Sequence, residues 1–190
     1  MGLAKIAATA AIGVIWSAAL HAAPIKLKPA NPQPSNPKPG LSVRYAYPED
    51  VKNLVEASAA LKQKSSRGRP LSGLDHRDTA EGQKTLTSDR AMHVVARITG
   101  YVRFDAPGTY SIDFLSNDGV RAKINGKVVA EFNGRQPCEP TFGSEVEVPS
   151  AGWYDLDVLY FQRYGSACLH MRSAPSGKSP KWMPNSAFGH

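Results

Sequence analysis

Residues 108–126, GTYSIDFLSNDGVRAKING, hold two runs of strictly alternating side chains. Tyr110, Ile112 and Phe114 alternate with Ser111 and Asp113, and Val120, Ala122 and Ile124 alternate with Arg121 and Lys123. A period of two places successive side chains on opposite faces of an extended chain, so both runs are strands with one apolar face. Ser116-Asn117-Asp118-Gly119 between them is turn chemistry, and Asn125-Gly126 closes the second run. Asn-Gly supplies the two positive φ angles of a type I′ turn and is the strongest short signal for a hairpin. A chain built around this unit is committed to an antiparallel, all-β core.

The rest of the C-terminal half extends the pattern. Met92 to Phe104 reads as one long strand, or two with a break at Thr99-Gly100. Lys127–Phe132, 143–148, Trp153–Gln162 and Ser166–Ser173 read as further strands, with Tyr154, Leu156, Val158 and Tyr160 on one face of the strongest. About eight short strands with a turn every 8–12 residues predict a two-sheet antiparallel sandwich. The tail from Lys178 carries Trp182 and Phe188, which are expected to pack back on it.

Ahead of the β region, Leu41 to Tyr47 reads as a first strand. Pro48-Glu49-Asp50 opens a pattern that predicts a short helix of about three turns, since proline and acids suit a helix start. Lys62 to Arg90 reads as a long polar surface loop, of a length that points to a functional segment.

The first residues have the form of an export signal. Lys5 precedes the uncharged run Ile6 to Leu20, which is followed by small residues around Ala22 and Ala23. Residues 1–23 are therefore expected to be a cleaved signal peptide, its passage being the chain's only contact with a membrane, and the mature protein to be secreted or periplasmic. Pro24 to Gly40 has six prolines in 17 residues and is expected to be a semi-rigid Pro-rich linker or leader. Residues 41–190 then form a single domain.

Export bears on charge and cysteine. The chain carries 23 Lys+Arg against 16 Asp+Glu, net +7, and loses Lys5 with the signal, leaving +6. Lys26, Lys28 and Lys38 in the leader make half of that excess, and from residue 91 onward 10 bases meet 9 acids. No helix-turn-helix, zinc-finger or RNA-binding strand motif accompanies the charge, so no nucleic-acid partner is expected. Two cysteines in an exported chain permit a disulfide. Cys138 in a Pro-flanked loop and Cys168 in a predicted strand are either bridged, clipping the loop to the sheet, or two separate thiols; the bridge is expected.

Catalytic motifs are sparse. Asp155 and Asp157 share a strand face, which on an antiparallel strand reads as a solvated face before it reads as a glycosidase pair. Asp75-His76-Arg77-Asp78 sets an imidazole beside two acids, with no Gly-x-Ser-x-Gly or His-Glu-x-x-His motif elsewhere. His93 and His170 fall in predicted strands, too isolated for zinc. No enzyme is expected.

An ordered set of short motifs resembles the protective-antigen-like (PA-14) domain family. Gly100-Tyr101-Val102 stands before Ala106-Pro107-Gly108-Thr109-Tyr110, followed by Ser116-Asn117-Asp118-Gly119-Val120-Arg121 and Ile124-Asn125-Gly126-Lys127-Val128-Val129. Ala151-Gly152-Trp153-Tyr154, Leu159-Tyr160-Phe161, Gly165-Ser166-Ala167 and Pro175-Ser176-Gly177 complete the order, over residues 40 to about 178. The resemblance implies a two-sheet sandwich in a secreted or surface protein that binds carbohydrate or, in other members, protein.

In calcium-dependent members two adjacent acids of the turn, an asparagine amide and main-chain carbonyls after the long penultimate strand hold the ion, which grips sugar hydroxyls. Carried over, these positions are Asn117, Asp118 and Gln162: one charge instead of two, which implies weak calcium binding or a plain tight turn. Arg163 and Tyr164 lie in the turn beside Gln162, where an aromatic face suits a sugar. The expected ligand site is Asn117, Asp118, Gln162, Arg163 and Tyr164, with a glycan or cell-surface polysaccharide as partner. The competing expectation is a structural or protein-interaction subunit of an envelope assembly.

Overall fold

A computed structural model describes residues 22–141 and 143–190. The expected signal peptide, residues 1–23, lies almost wholly outside the described residues. The described residues form fourteen strands, one α-helix and a short 3-10 helix at Asn185–Ala187: β1 (Ile25–Lys26), β2 (Ser42–Ala46), α1 (Leu54–Gln63), β3 (Ser66–Arg67), β4 (Asp75–His76), β5 (Val94–Phe104), β6 (Gly108–Ser116), β7 (Val120–Ile124), β8 (Lys127–Phe132), β9 (Glu139–Pro140), β10 (Ser144–Val148), β11 (Gly152–Gln162), β12 (Leu169–Pro175), β13 (Lys181–Trp182) and β14 (Phe188–Gly189). They form two sheets. The first runs β1-β10-β6-β12-β13, with β4 also on β12 and β9 on β6. The second runs β3-β2-β5-β11-β7-β8, with β14 also on β5. All pairings are antiparallel except β1 with β10.

The inward faces are those the alternation predicts. Ile112 and Phe114 of β6 meet Ile98, Val102, Tyr154, Val158 and Tyr160 of the other sheet, all buried. Asn125 and Gly126 have φ of 50° and 72°, as a type I′ hairpin between β7 and β8 requires. The two runs of residues 108–126 are not paired with each other, however. β6 belongs to the first sheet and β7 to the second, so Ser116–Gly119 is the corner where the chain crosses between sheets. Gly119 is required there because a Cβ at this position would stand 2.1 Å from the Phe161 ring.

Three expectations are corrected. Residues 24–40 are a strap, not a spacer. Leu27 and Ala30 are buried. Their amides donate to the carbonyls of Glu147 and Trp153 at 3.0 and 2.8 Å. The Gln33 side chain accepts from Trp153 N–H and donates to its carbonyl, both at 2.8 Å. Lys38 and His190 exchange a pair of 2.8 Å hydrogen bonds. Prolines sit between these anchor residues, where a sheet edge needs no donor from them.

The helix starts later than Pro48. Asn53 is its cap, its side chain accepting from the amides of Val55 and Glu56 at 3.0 and 2.9 Å, while Glu56 reaches back to the Lys52 amide at 2.7 Å. Asp50 instead pairs with Arg163. The 62–90 segment is not simply a surface loop, because Leu71 and Leu74 are fully buried in the core and β3 and β4 join the two sheets. The tail packs back through Phe188, which is buried, and through the pairing of β13 with β12, while Trp182 stays 41% exposed with its ring beside His170. Among the described residues no helix is long and apolar enough to cross a membrane.

Candidate functional site

Three chain segments meet at one end of the sandwich. The first is the sheet corner Ser116–Gly119. Asp118 adopts a left-handed φ of 57°, a conformation that aspartate tolerates. The Ser116 hydroxyl donates to the Asp118 carbonyl at 2.9 Å and locks the corner. The second segment is the turn from β11 to β12, Arg163 to Ser166. The third is Arg135–Pro137, beyond β8. Cys138 and Cys168 are bonded, as expected, and this bond draws the third segment onto the approach to β12. The Asp118 amide donates to the Gln136 carbonyl at 3.0 Å, and the Gln136 side chain donates to the Ser116 carbonyl at 3.1 Å.

The result is a shallow depression of about 440 Å³ lined by Asn117, Asp118, Arg135, Gln136, Tyr164 and Ser166 among others. Asp118 is its electrostatic centre, although only 2% exposed. One carboxylate oxygen accepts the Arg163 backbone N–H at 2.6 Å, and the other faces the Arg135 guanidinium at 3.9 Å. Burial pushes the carboxyl above its ordinary value, and the Arg163 amide and Arg135 pull against it. Tyr164 is 42% exposed. Its ring packs edge-on against His93 at 4.8 Å, and the guanidiniums of Arg163 and Arg135 stand 4.9 and 5.8 Å from its centroid.

Of the five expected site residues, Asn117, Asp118 and Tyr164 come together here. The side chains of Gln162 and Arg163 do not. Gln162 is fully buried: its carbonyl oxygen accepts the Tyr160 hydroxyl at 3.0 Å and its amide donates to the carbonyls of Tyr164 and Ser166 at 2.7 and 2.6 Å. The Arg163 guanidinium stands beside the Tyr164 ring but outside the lining of the depression, gripping Asp50 bidentately at 2.7 and 2.8 Å. Arg135, Gln136 and Ser166 were not anticipated. The signal for them is the disulfide: a Cys138–Cys168 bond necessarily brings residues just before 138 beside residues just before 168.

These residues do not fit a calcium ion. Calcium takes six to eight oxygens with several charges. Here the one carboxylate is engaged by a backbone N–H and faces a guanidinium. The carbonyls after β11 accept from the Gln162 amide, and the Gln162 oxygen is turned inward to Tyr160. Arg135 supplies the positive charge at this carboxylate. Elsewhere, the one grouping of three His, Cys, Asp or Glu donors among the described residues is Cys138, Cys168 and His170, whose two sulfurs are already bonded to each other. Asp157 is held by Arg97 at 2.9 and 3.2 Å on the outer face of β11, an ion pair on the solvated side.

A family model for the PA14 domain matches residues 38–186. Among solved structures, the PA14 domain of the MpAFP antifreeze protein superposes with a TM-score of 0.68 at 17% identity, over 82% of this chain and 92% of that one. A PA14 sugar-binding domain from an RTX adhesin gives 0.63 at 19%, over 80% and 99%. The Epithelial Adhesin 6 A domain from Candida glabrata, solved in complex with Galβ1-3GlcNAc, gives 0.63 at 11%, over 83% and 89%. No curated protein sequence matches the chain.

Proposed function

Because the chain belongs to the PA14 domain family, which residues 38–186 match, we propose that it is a non-catalytic carbohydrate-binding module. It takes a cell-surface glycan in the depression at Asp118 and does so without a divalent cation. The observation that carries this reading is the convergence of Asn117, Asp118, Arg135, Tyr164 and Ser166 in one shallow, solvent-facing hollow. The hollow offers a half-exposed aromatic ring for the C–H face of a sugar, with amide, hydroxyl and guanidinium groups for its hydroxyls. Support comes also from two domains that share the fold, the sugar-binding domain of an RTX adhesin and the Candida glabrata adhesin domain in complex with a disaccharide. The disulfide supports an oxidising, exported setting.

Arg135 replaces the ion as the positive partner of the ligand. The Arg135 side chain is 57% exposed, within reach of a ligand and of Asp118. Arg163 and Gln162 serve as supports, holding the turn that carries Tyr164.

A glycan array tests this. The wild-type chain is expected to give a defined set of hits, and Arg135→Gln and Tyr164→Ala are each expected to weaken them about tenfold or more, with unfolding midpoints unchanged. An array without hits, together with recovery of one envelope protein in a pull-down, would establish the protein-interaction subunit instead.

A further inference from the structure

The outer face of the second sheet carries a second feature, away from the depression. Where α1 lies on this sheet, the row of residues beneath it is apolar: Ala46, Val95 and Phe161 pack against Val51, Leu54 and Ala57. The next row on the same face is cationic. Arg67 of β3 stands directly opposite Arg44 of β2, Arg44 opposite Arg97 of β5, Arg97 opposite Leu159 of β11, and Leu159 opposite Arg121 of β7. Neighbouring strands lie about 4.8 Å apart, so four arginines on five strands span roughly 19 Å. Like charges directly opposite on a sheet are destabilising, and the folded chain offsets only two of the four, through Asp157 at Arg97 and Glu131 at Arg121.

Beside α1 three of these arginines, Arg44, Arg97 and Arg121, border a trough of about 290 Å³, with Arg67 just outside it. Arg44, Lys62, Arg97, Arg121 and Lys123 line it against one lining carboxylate, Asp157. Asp157 is taken by Arg97, and Arg121 pairs with Glu131 at the far side. Arg44 is aimed by hydrogen bonds to the Ser65 carbonyl and hydroxyl at 2.9 and 3.2 Å. Arg44, Lys62, Arg67 and Lys123 make no ion pair among the described residues.

We propose that this trough is a binding site for a linear anionic polysaccharide, distinct from the depression at Asp118. The row matches a chain bearing repeated carboxylates or sulfates, which guanidiniums grip with paired hydrogen bonds. Leu61 and Leu159 give an apolar floor for the sugar rings, and Ser58 offers a hydroxyl. The lining has no aromatic side chain, which single-stranded nucleic acid uses for base stacking. The proposal does not depend on the depression binding a glycan.

The test compares the wild-type chain, Arg44→Gln/Lys123→Gln and Arg135→Gln, each by titration at about 150 mM salt. The probes are polygalacturonate, dextran sulfate, neutral dextran and a single-stranded DNA of matched charge. The wild-type chain is expected to bind one or both anionic polysaccharides and not neutral dextran. The sulfated and carboxylated arms identify the anion. The double variant is expected to bind at least about tenfold more weakly, while Arg135→Gln binds as wild type. Circular dichroism checks that the double variant folds, and Lys62→Glu/Arg67→Glu, which reverses charge at the rim only, is expected to weaken binding as well. Absence of polyanion binding, wild-type affinity in both trough variants, a loss with Arg135→Gln equal to that of the trough variants, or tighter binding of the DNA would each overturn the proposal.

Discussion

Replacing Gln162 with leucine is expected to destabilise the fold by on the order of 3 kcal/mol or more, as measured by denaturant unfolding. The side chain is fully buried and makes three hydrogen bonds. Leucine has a similar volume but leaves the Tyr160 hydroxyl and the carbonyls of Tyr164 and Ser166 without their partner. The fully buried Tyr160 hydroxyl left unpaired costs about 1–3 kcal/mol, and the two part-buried carbonyls add to that. Tyr160 gives no relief by ionising, because burial pushes its hydroxyl well above the ordinary tyrosine value. The β11–β12 turn is expected to loosen with it, since the amide is what closes that turn. A side chain that served only as an exposed metal ligand would behave in the opposite way, with binding lost and the unfolding midpoint unchanged.

The second large effect is at the disulfide. Cys138→Ala with Cys168→Ala is expected to lower stability by about 3 to 4 kcal/mol, from the closure entropy of a 30-residue separation. The sheet core does not depend on the bond, so the consequence is concentrated in the loop between β8 and β10. That loop keeps the Gln136 contacts to Ser116 and Asp118 but loses its covalent hold on the entry to β12. Arg135 is thereby set free from Asp118, and glycan affinity is expected to fall together with the unfolding midpoint. Hydrogen exchange is the sharper readout: amides of 133–141 should exchange faster than those of β5 and β11. An unchanged midpoint with uniform protection would mean that the bond holds nothing the sheets do not already hold.

What the sequence makes legible, and what it hides, divides along a physical line. Alternation identifies β6, β7 and β11 because the signal lies in adjacent residues, and Asn125-Gly126 identifies its hairpin because two residues set the φ angles. Even so, alternation does not say which strands share a sheet, and β6 and β7 turn out to be joined across a corner. The Pro-rich segment misleads for the same reason. Its composition is that of a spacer, yet Leu27, Gln33 and Lys38 find partners at Glu147, Trp153 and His190, more than a hundred residues away. Asn117 and Asp118 are legible in one short turn motif and Tyr164 in another, after the long strand β11. Arg135 is not, since only the Cys138–Cys168 bond brings it there. The matched position for a calcium-binding amide, Gln162, has the right chemistry but its orientation is decided by Tyr160 beneath it. The arginine row is wholly a matter of register: Arg44, Arg67, Arg97 and Arg121 are unremarkable surface residues until strand pairing sets them side by side.

The Arg135–Asp118 pair carries the central claim, a sugar site whose positive charge belongs to the protein and not to a bound ion. The direct measurement is a calorimetric titration of the strongest array glycan into the wild-type chain, once in excess calcium and once in EDTA. Equal affinity in the two buffers is the predicted result. Binding abolished by EDTA and restored by added calcium would contradict it.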